Sequence, residues 1–239
     1  MAIMVLVRHG RTRANADGIL AGWTAGIGLD DHGRQQAQRV ADRLARTPVV
    51  AAMVSPLQRC QETASVLLGT QADPPPVETL EGLGECRYGA WTGRSLKDLA
   101  QEPLWKQVQA RPSTVRFPDS AEFDGESMQH MQDRAVAAVR AADRQVSAEH
   151  GPGAIWVAVS HGDVIKAILA DAAGTPLDNF QRILVDPASV SIVRYATDHT
   201  FLVRTNDGGS DPVDLSGLAK AADDADSDDA SVGGGSGTV

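Results

Sequence analysis

The sequence predicts an α/β fold, a three-layer α/β/α sandwich built on a mostly parallel central sheet. Three observations carry that prediction. Short apolar runs alternate with stretches whose apolar residues recur every three or four positions, the order that parallel strands and crossover helices require. The runs at residues 3–7, 49–54 and 154–159 are apolar at successive positions, as in strands covered on both faces. Each ends in polar residues: Arg8-His9-Gly10, Ser55-Pro56-Leu57-Gln58-Arg59 and Ser160-His161-Gly162-Asp163. In such a sheet the three polar ends share one edge, outside the carboxyl ends of the strands, where ligands bind.

Taken in order, the first strand delivers Arg8 and His9 from a rigid base, and Gly10 lets a bound group approach the backbone. Residues 11–31, with Gly18, Gly22, Gly26 and Gly28, read as a loop. Asp30 or Asp31 caps a helix over about 32–46, which buries Ala37, Val40, Ala41 and Leu44. The second strand covers 49–54. Ser55 is expected as N-cap and Pro56 as first residue of the next helix, to about Leu68, with Arg59 and Thr63 one turn apart.

Pro74-Pro75-Pro76 breaks the chain before a weak strand at 77–80. Residues 81–127 are irregular, with short helices expected near 95–101 and 104–110; Tyr88, Trp91, Trp105, Phe117 and Phe123 argue for order there. A long helix starts at Asp124 or Ser127 and reaches about His150, burying Met128, Met131, Ala135, Ala138, Val139 and Ala142. After Gly151-Pro152-Gly153 come the strand at 154–159, a helix over 163–173, and a hairpin of 189–196 with 200–204.

The chain has 239 residues, enough for one sizeable domain, placed at 1–205. Residues 206–239 are rich in Asp, Ser, Gly and Ala without periodicity and read as a disordered acidic tail. That tail holds eight aspartates and one lysine, Lys220, so it accounts for most of the net charge of −9 and leaves the body nearly neutral. Neither part has the concentrated basic face that nucleic acid binding needs. The two cysteines, Cys60 and Cys86, suggest neither a metal site nor a disulfide framework. The opening Met-Ala-Ile-Met-Val-Leu-Val lacks a basic lead and is too short for a signal sequence or a membrane span. A reduced cytoplasmic protein is expected.

Two histidines and two arginines at one sheet edge would surround a single anionic group, and guanidinium forks match phosphate geometry. The motifs behind this are R-H-G-R-T at 8–12, Asn15, G-W at 22–23, S-P-L-Q-R-C-Q-E-T-A at 55–64, G-E-C-R-Y-G-A-W-T-G at 84–93 and S-H-G at 160–162. Occurring in this order, they resemble the histidine phosphatase superfamily, in the branch of cofactor-dependent phosphoglycerate mutases and related broad phosphatases. The resemblance implies a phosphoglycerate mutase-like fold and a phosphohistidine mechanism. In it His9 is the nucleophile, and Arg8, Arg59 and His161 hold the phosphoryl oxygens with help from Asn15. Thr12, Gly22, Gly162 and Tyr88 would complete the phosphate and substrate contacts.

Glu85 matches the proton donor of this branch and is expected to have a raised pKa, from burial beside the phosphate. Asp163 is the rival acid, because a related branch places an aspartate directly after the second histidine; here Gly162 intervenes. No metal is implied. A backbone carbonyl is the expected partner for the second ring nitrogen of His9.

A mutase of this family carries a lysine and an adjacent arginine pair after the tyrosine. Here Lys97 is displaced by one position, and Arg111 and Arg116 are separated by Pro112. The expected activity is therefore metal-independent hydrolysis of small phosphate monoesters, with no cofactor. The alternative is a phosphoglycerate mutase primed by 2,3-bisphosphoglycerate; a silent phosphate-binding module is a third reading. Trp91, Trp105, Phe117 and Phe123 could line a pocket for an apolar or aromatic ester, or simply pack this segment. The open sheet edge, and dimers among members of that family, leave room for a homodimer.

Overall fold

Successive residues of the first apolar run enter different cores. Ile3, Val5 and Val7 pack in one buried cluster, whereas Met4 and Leu6 belong to another on the opposite face. This period of two is the geometry of a strand with a helical layer on each side. In the computed structural model, which describes residues 1–196 and 198–209, that strand is β1 (Ile3–Arg8).

Five more strands join it: β2 (Val49–Val54), β3 (Val77–Thr79), β4 (Ile155–Ser160), β5 (Val190–Tyr195) and β6 (Thr200–Asp207). They form one sheet in the order β3-β2-β4-β1-β5-β6. β3, β2, β4 and β1 run parallel, and β5 and β6 add an antiparallel hairpin. β1 and β4 pair in register, Val7 opposite Val159 and Arg8 opposite Ser160. His9 and His161 therefore leave the sheet side by side.

The seven α-helices among the described residues are α1 (Arg13–Ala16), α2 (Asp31–Leu44), α3 (Gln58–Leu68), α4 (Leu96–Leu99), α5 (Pro103–Ala110), α6 (Met128–His150) and α7 (Gly162–Ala172). Val40 and Leu44 of α2 and Cys60, Ala64 and Leu67 of α3 cover one face of the sheet. Met131, Ala135 and Val139 of α6 and Ile165, Ile168 and Leu169 of α7 cover the other. The three-layer α/β/α sandwich expected from the sequence is present, with α2 capped by the Asp30 carboxylate on the Gly33 N–H.

Three local expectations need correction. The stretch after β1 is not all loop: Thr12 and Asn15 form a reciprocal capping box around the single turn of α1. Ser55 does not cap the next helix and Pro56 is not its first residue. α3 begins later, at Gln58, with Leu57 as an N-cap that makes no side-chain bond; the Ser55 hydroxyl bonds His161 Nε2 at 2.7 Å and accepts from the Leu57 N–H at 3.3 Å, ahead of the helix. The terminal strand β6 continues through Asn206 and Asp207, two residues past the expected start of the tail, and Asp207 pairs with the buried Arg43 at 2.7 Å. The rest of that tail, residues 210–239, lies outside the described residues. No helix among the described residues is long and apolar enough to cross a membrane.

Candidate active site

The carboxyl ends of β1, β2 and β4 border a cavity of about 290 Å3, near the lower end of the range of roughly 300–1,000 Å3 common for small-molecule sites. Arg8, His9, Asn15, Gly22, Arg59, Glu85, Tyr88 and Gly162 all line it. His161 stands behind this lining, fully buried, with its ring centroid 5.2 Å from that of His9 in an edge-to-face arrangement. Thr12 does not reach the cavity either. It is buried beneath Asn15 and acts on the site through that residue.

His9 follows β1 and is 2% exposed. Its Nδ1 lies 2.8 Å from the Gly10 carbonyl oxygen, which can only accept, so Nδ1 carries the proton in that bond and Nε2 keeps its lone pair. Burial holds the imidazole well below its ordinary pKa, and the nearby positive charges of Arg59 and Arg8 add to the effect. The ring is thus neutral across the ordinary pH range. Gly10 itself admits no side chain, since a Cβ would collide with the Gly33 carbonyl. Its N–H donates to Thr63 Oγ1 at 3.1 Å, which fixes the turn after the histidine to α3.

The half-buried Arg8 and the buried Arg59 bring two positive charges to this cavity, and neither forms an ion pair among the described residues. Arg8 donates from Nη1 to the Val185 carbonyl at 2.6 Å, while its buried Nε has no hydrogen-bond partner. Arg59, on the first turn of α3, donates from Nη2 to the Gly22 carbonyl at 2.9 Å. Gly22 has φ +50°, and a Cβ there would meet Thr92 Oγ1 at 2.8 Å, so glycine is required for this anchor. Guanidiniums held by neutral carbonyls rather than by carboxylates leave their positive charge uncompensated for an anion in the cavity.

Asn15 gains its orientation from Thr12. The Thr12 backbone N–H donates to Asn15 Oδ1 at 3.0 Å, and only the amide oxygen can accept it. The Nδ2 donors are thereby turned away from Thr12 on a side chain that lines the cavity.

Glu85 lies in the irregular segment, 9% exposed. Oε1 accepts from the Cys86 N–H at 2.9 Å, and Oε2 is 3.7 Å from His161 Nδ1. Its pKa is pushed up from 4.5 to about 7, first by burial and second by the negative charge of Asp163, against the pull of Arg59 and Arg8. The raised pKa and its cause in burial match the reading of the sequence, and Asp163 is a charged neighbour which that reading did not include. Asp163 itself accepts from the Tyr88 hydroxyl at 2.8 Å, sits 3.6 Å from Lys166 Nζ, and lines the cavity together with Glu85. Arg87 does not pair with Glu85; it stacks over Trp23 at 4.2 Å.

One residue of this site had no signal in the sequence. Arg134, on α6, donates to the carbonyls of Gly82, Gly84 and Glu85, each at 2.9 Å, and to both oxygens of the buried Glu126 carboxylate. Trp23 Nε1 donates to the same Glu85 carbonyl at 2.6 Å. The loop that presents Glu85 is therefore pinned from both sides, although it has almost no regular structure. Among the described residues no group of three or more His, Cys, Asp or Glu is placed to hold a metal ion.

The profile of the histidine phosphatase superfamily (branch 1) matches residues 4–208. The chain belongs to that superfamily. A metal-independent phosphoserine phosphatase of Arabidopsis thaliana is 30% identical over 87% of this chain and 89% of its own length. A 2,3-bisphosphoglycerate-dependent phosphoglycerate mutase of Gloeobacter violaceus is 28% identical over 84% of this chain and 89% of its own. Among solved structures, Bacillus stearothermophilus YhfR superposes with a TM-score of 0.75 at 26% identity, covering 87% of this chain and 98% of that one. Phosphatases and mutases are both present among the relatives, so the choice between water and a second alcohol as acceptor rests on the cavity of this superfamily member.

Proposed function

We propose that this chain hydrolyses small phosphate monoesters without a metal or cofactor, through a phosphohistidine at His9 Nε2. The observation that carries the proposal is the state of His9: neutral, with Nδ1 tied to the Gly10 carbonyl, in a cavity also lined by two guanidiniums that form no ion pair among the described residues. A neutral imidazole with one nitrogen anchored is a competent nucleophile, and phosphoryl transfer otherwise demands mainly positioning and charge stabilisation. Arg8 and Arg59 would hold the phosphoryl oxygens, with Asn15 Nδ2 as a neutral donor. His161, placed behind His9 and bonded to Ser55, would add its ring as the transition state forms.

In the first step the bond from His9 Nε2 to phosphorus forms and the ester P–O bond breaks, while Glu85 gives its proton to the departing oxygen. In the second, water attacks phosphorus, the P–N bond breaks, and Glu85 takes the water's proton as orthophosphate leaves. A carboxyl group with a pKa of about 7 can do both near neutrality.

The relationship to a mutase favours a second reading, in which the phosphoryl group passes to phosphoglycerate after priming by 2,3-bisphosphoglycerate. The side chains expected for its carboxylate argue against it: Lys97, Arg111 and Arg116 are exposed and outside the cavity lining. One panel separates the readings. The purified full-length chain should release phosphate from p-nitrophenyl phosphate with EDTA present, and His9→Ala should lose this activity. Conversion of 3-phosphoglycerate to 2-phosphoglycerate after priming, without ester hydrolysis, would make it a mutase instead.

A further inference from the structure

We infer that the alcohol part of the substrate is uncharged and has an apolar body that packs on Leu20, Leu96, Trp105 and Val108. This rests on the phosphatase reading and concerns the half of the same cavity that the phosphoryl group leaves empty. Two features of the lining lead to it. The first is charge. Besides His9, the charged residues lining the cavity are Arg8, Arg59, Glu85, Asp163 and Lys166. Lys166 is already matched, with Nζ 3.6 Å from the Asp163 carboxylate and 3.2 Å from Gln181 Oε1. With Glu85 protonated, the remaining excess is the two guanidiniums beside His9, which a phosphoryl dianion neutralises. No cation is left for a carboxylate on the leaving group. Arg94, close by in the chain, is paired with Glu102 at 2.6 Å and does not line the cavity.

The second feature is the wall itself. The loop at Gly18–Leu20 is zipped to residues 94–96 by backbone bonds from Leu20 to Arg94 and from Leu96 to Gly18, at 2.9 and 2.8 Å. This brings Leu20 and Leu96 to the cavity, opposite the face of α5 that carries Trp105 and Val108. Trp105 is half-buried and stacks on the fully buried Trp91, ring centroids 6.1 Å apart. Trp91 is fixed in turn by Phe117 and by a hydrogen bond from Nε1 to Glu102. Trp91 and Phe117 thus both pack the segment and line the cavity, and the half-buried Trp105 extends their rigid apolar surface toward a ligand. Phe123 takes no part in the lining.

Two measurements on the full-length protein test this separately from the reaction. In calorimetric titration at pH 7, benzylphosphonate should bind at least tenfold more tightly than 3-phosphonopropionate. In Trp105→Ala the ratio of benzylphosphonate to orthophosphate affinity should fall about tenfold. In Leu96→Lys, a change at a 39% exposed position, a cation on the wall should narrow or reverse the preference. In kinetics, kcat/KM for 1-naphthyl phosphate should exceed that for phosphoserine and 3-phosphoglycerate by about a hundredfold. Tighter binding of 3-phosphonopropionate, or a Trp105→Ala ratio equal to wild type, overturns the inference. Benzylphosphonate binding without hydrolysis of any ester would overturn the phosphatase reading and leave the pocket preference standing. Hydrolysis that favours the carboxylate-bearing esters would do the reverse.

Discussion

Replacing Glu85 with Gln should make the protein more stable and less active, and both effects should depend on pH. The carboxyl group titrates near 4.5 in an unfolded chain and near 7 in the fold, so between those values the folded state binds more protons. Stability contributed by this group is therefore complete below about pH 4.5 and is lost as pH rises through about 7. The displacement corresponds to about 3 kcal/mol, a cost carried by the wild type at pH 8 and absent from the amide. Urea denaturation should thus give Glu85→Gln an advantage of less than about 1 kcal/mol at pH 5 and of about 3 kcal/mol at pH 8. In activity the amide cannot deliver a proton. Esters with poor leaving groups should slow by about 10²–10⁴-fold, and p-nitrophenyl phosphate far less. An advantage that is the same at pH 5 and pH 8 would refute the electrostatic reasoning. Equal slowing of both ester classes would move the acid role to another residue.

Three further changes probe the supports of the site. Asp163→Asn removes the charge that helps hold the Glu85 pKa up, so the alkaline limb of kcat/KM against pH should move to lower pH; an unmoved limb would assign the shift to burial alone. Arg134→Met leaves the Glu126 carboxylate buried without its partner and frees three loop carbonyls, which should destabilise the fold by about 3–5 kcal/mol in chemical denaturation. A loss below about 1 kcal/mol would mean the brace is dispensable. Gly22→Ala meets both a positive φ and Thr92, so orthophosphate affinity should drop as the Arg59 anchor shifts; wild-type affinity by calorimetry would count against the anchor.

The legible parts of this chain were those where a side chain's own chemistry reports its surroundings. β1, β2 and β4 are apolar at successive positions because helices cover both faces, and the polar residues after them had to fall at one edge. Glu85 could be singled out by its motif, and its raised pKa anticipated from burial. Arg134 could not, because the groups it holds are backbone carbonyls, which every residue possesses and no spacing marks. Ser55 misled for a related reason: a serine before a proline suits a helix cap, and nothing local shows that a histidine 106 residues away takes the hydroxyl. The aromatic segment stayed ambiguous because packing and lining are not exclusive: Trp91 and Phe117 are buried in the core and also line the cavity, while Trp105 lines it half-buried.

The pairing of β1 with β4 bears on how the protein can be regained after denaturation. His9 and His161 meet only because Arg8 and Ser160 are partners in register, and Arg8 is also held by the Val185 carbonyl, 177 residues further on. Contacts that distant form late, since the intervening chain must be closed into a loop before they bring any gain. A refolding chain with its helices in place but its central strands apart would hold neither half of the phosphate cradle. Recovery of vanadate binding during refolding should accordingly lag helical circular dichroism and keep pace with burial of Trp156, the large side chain that β4 sends into the core.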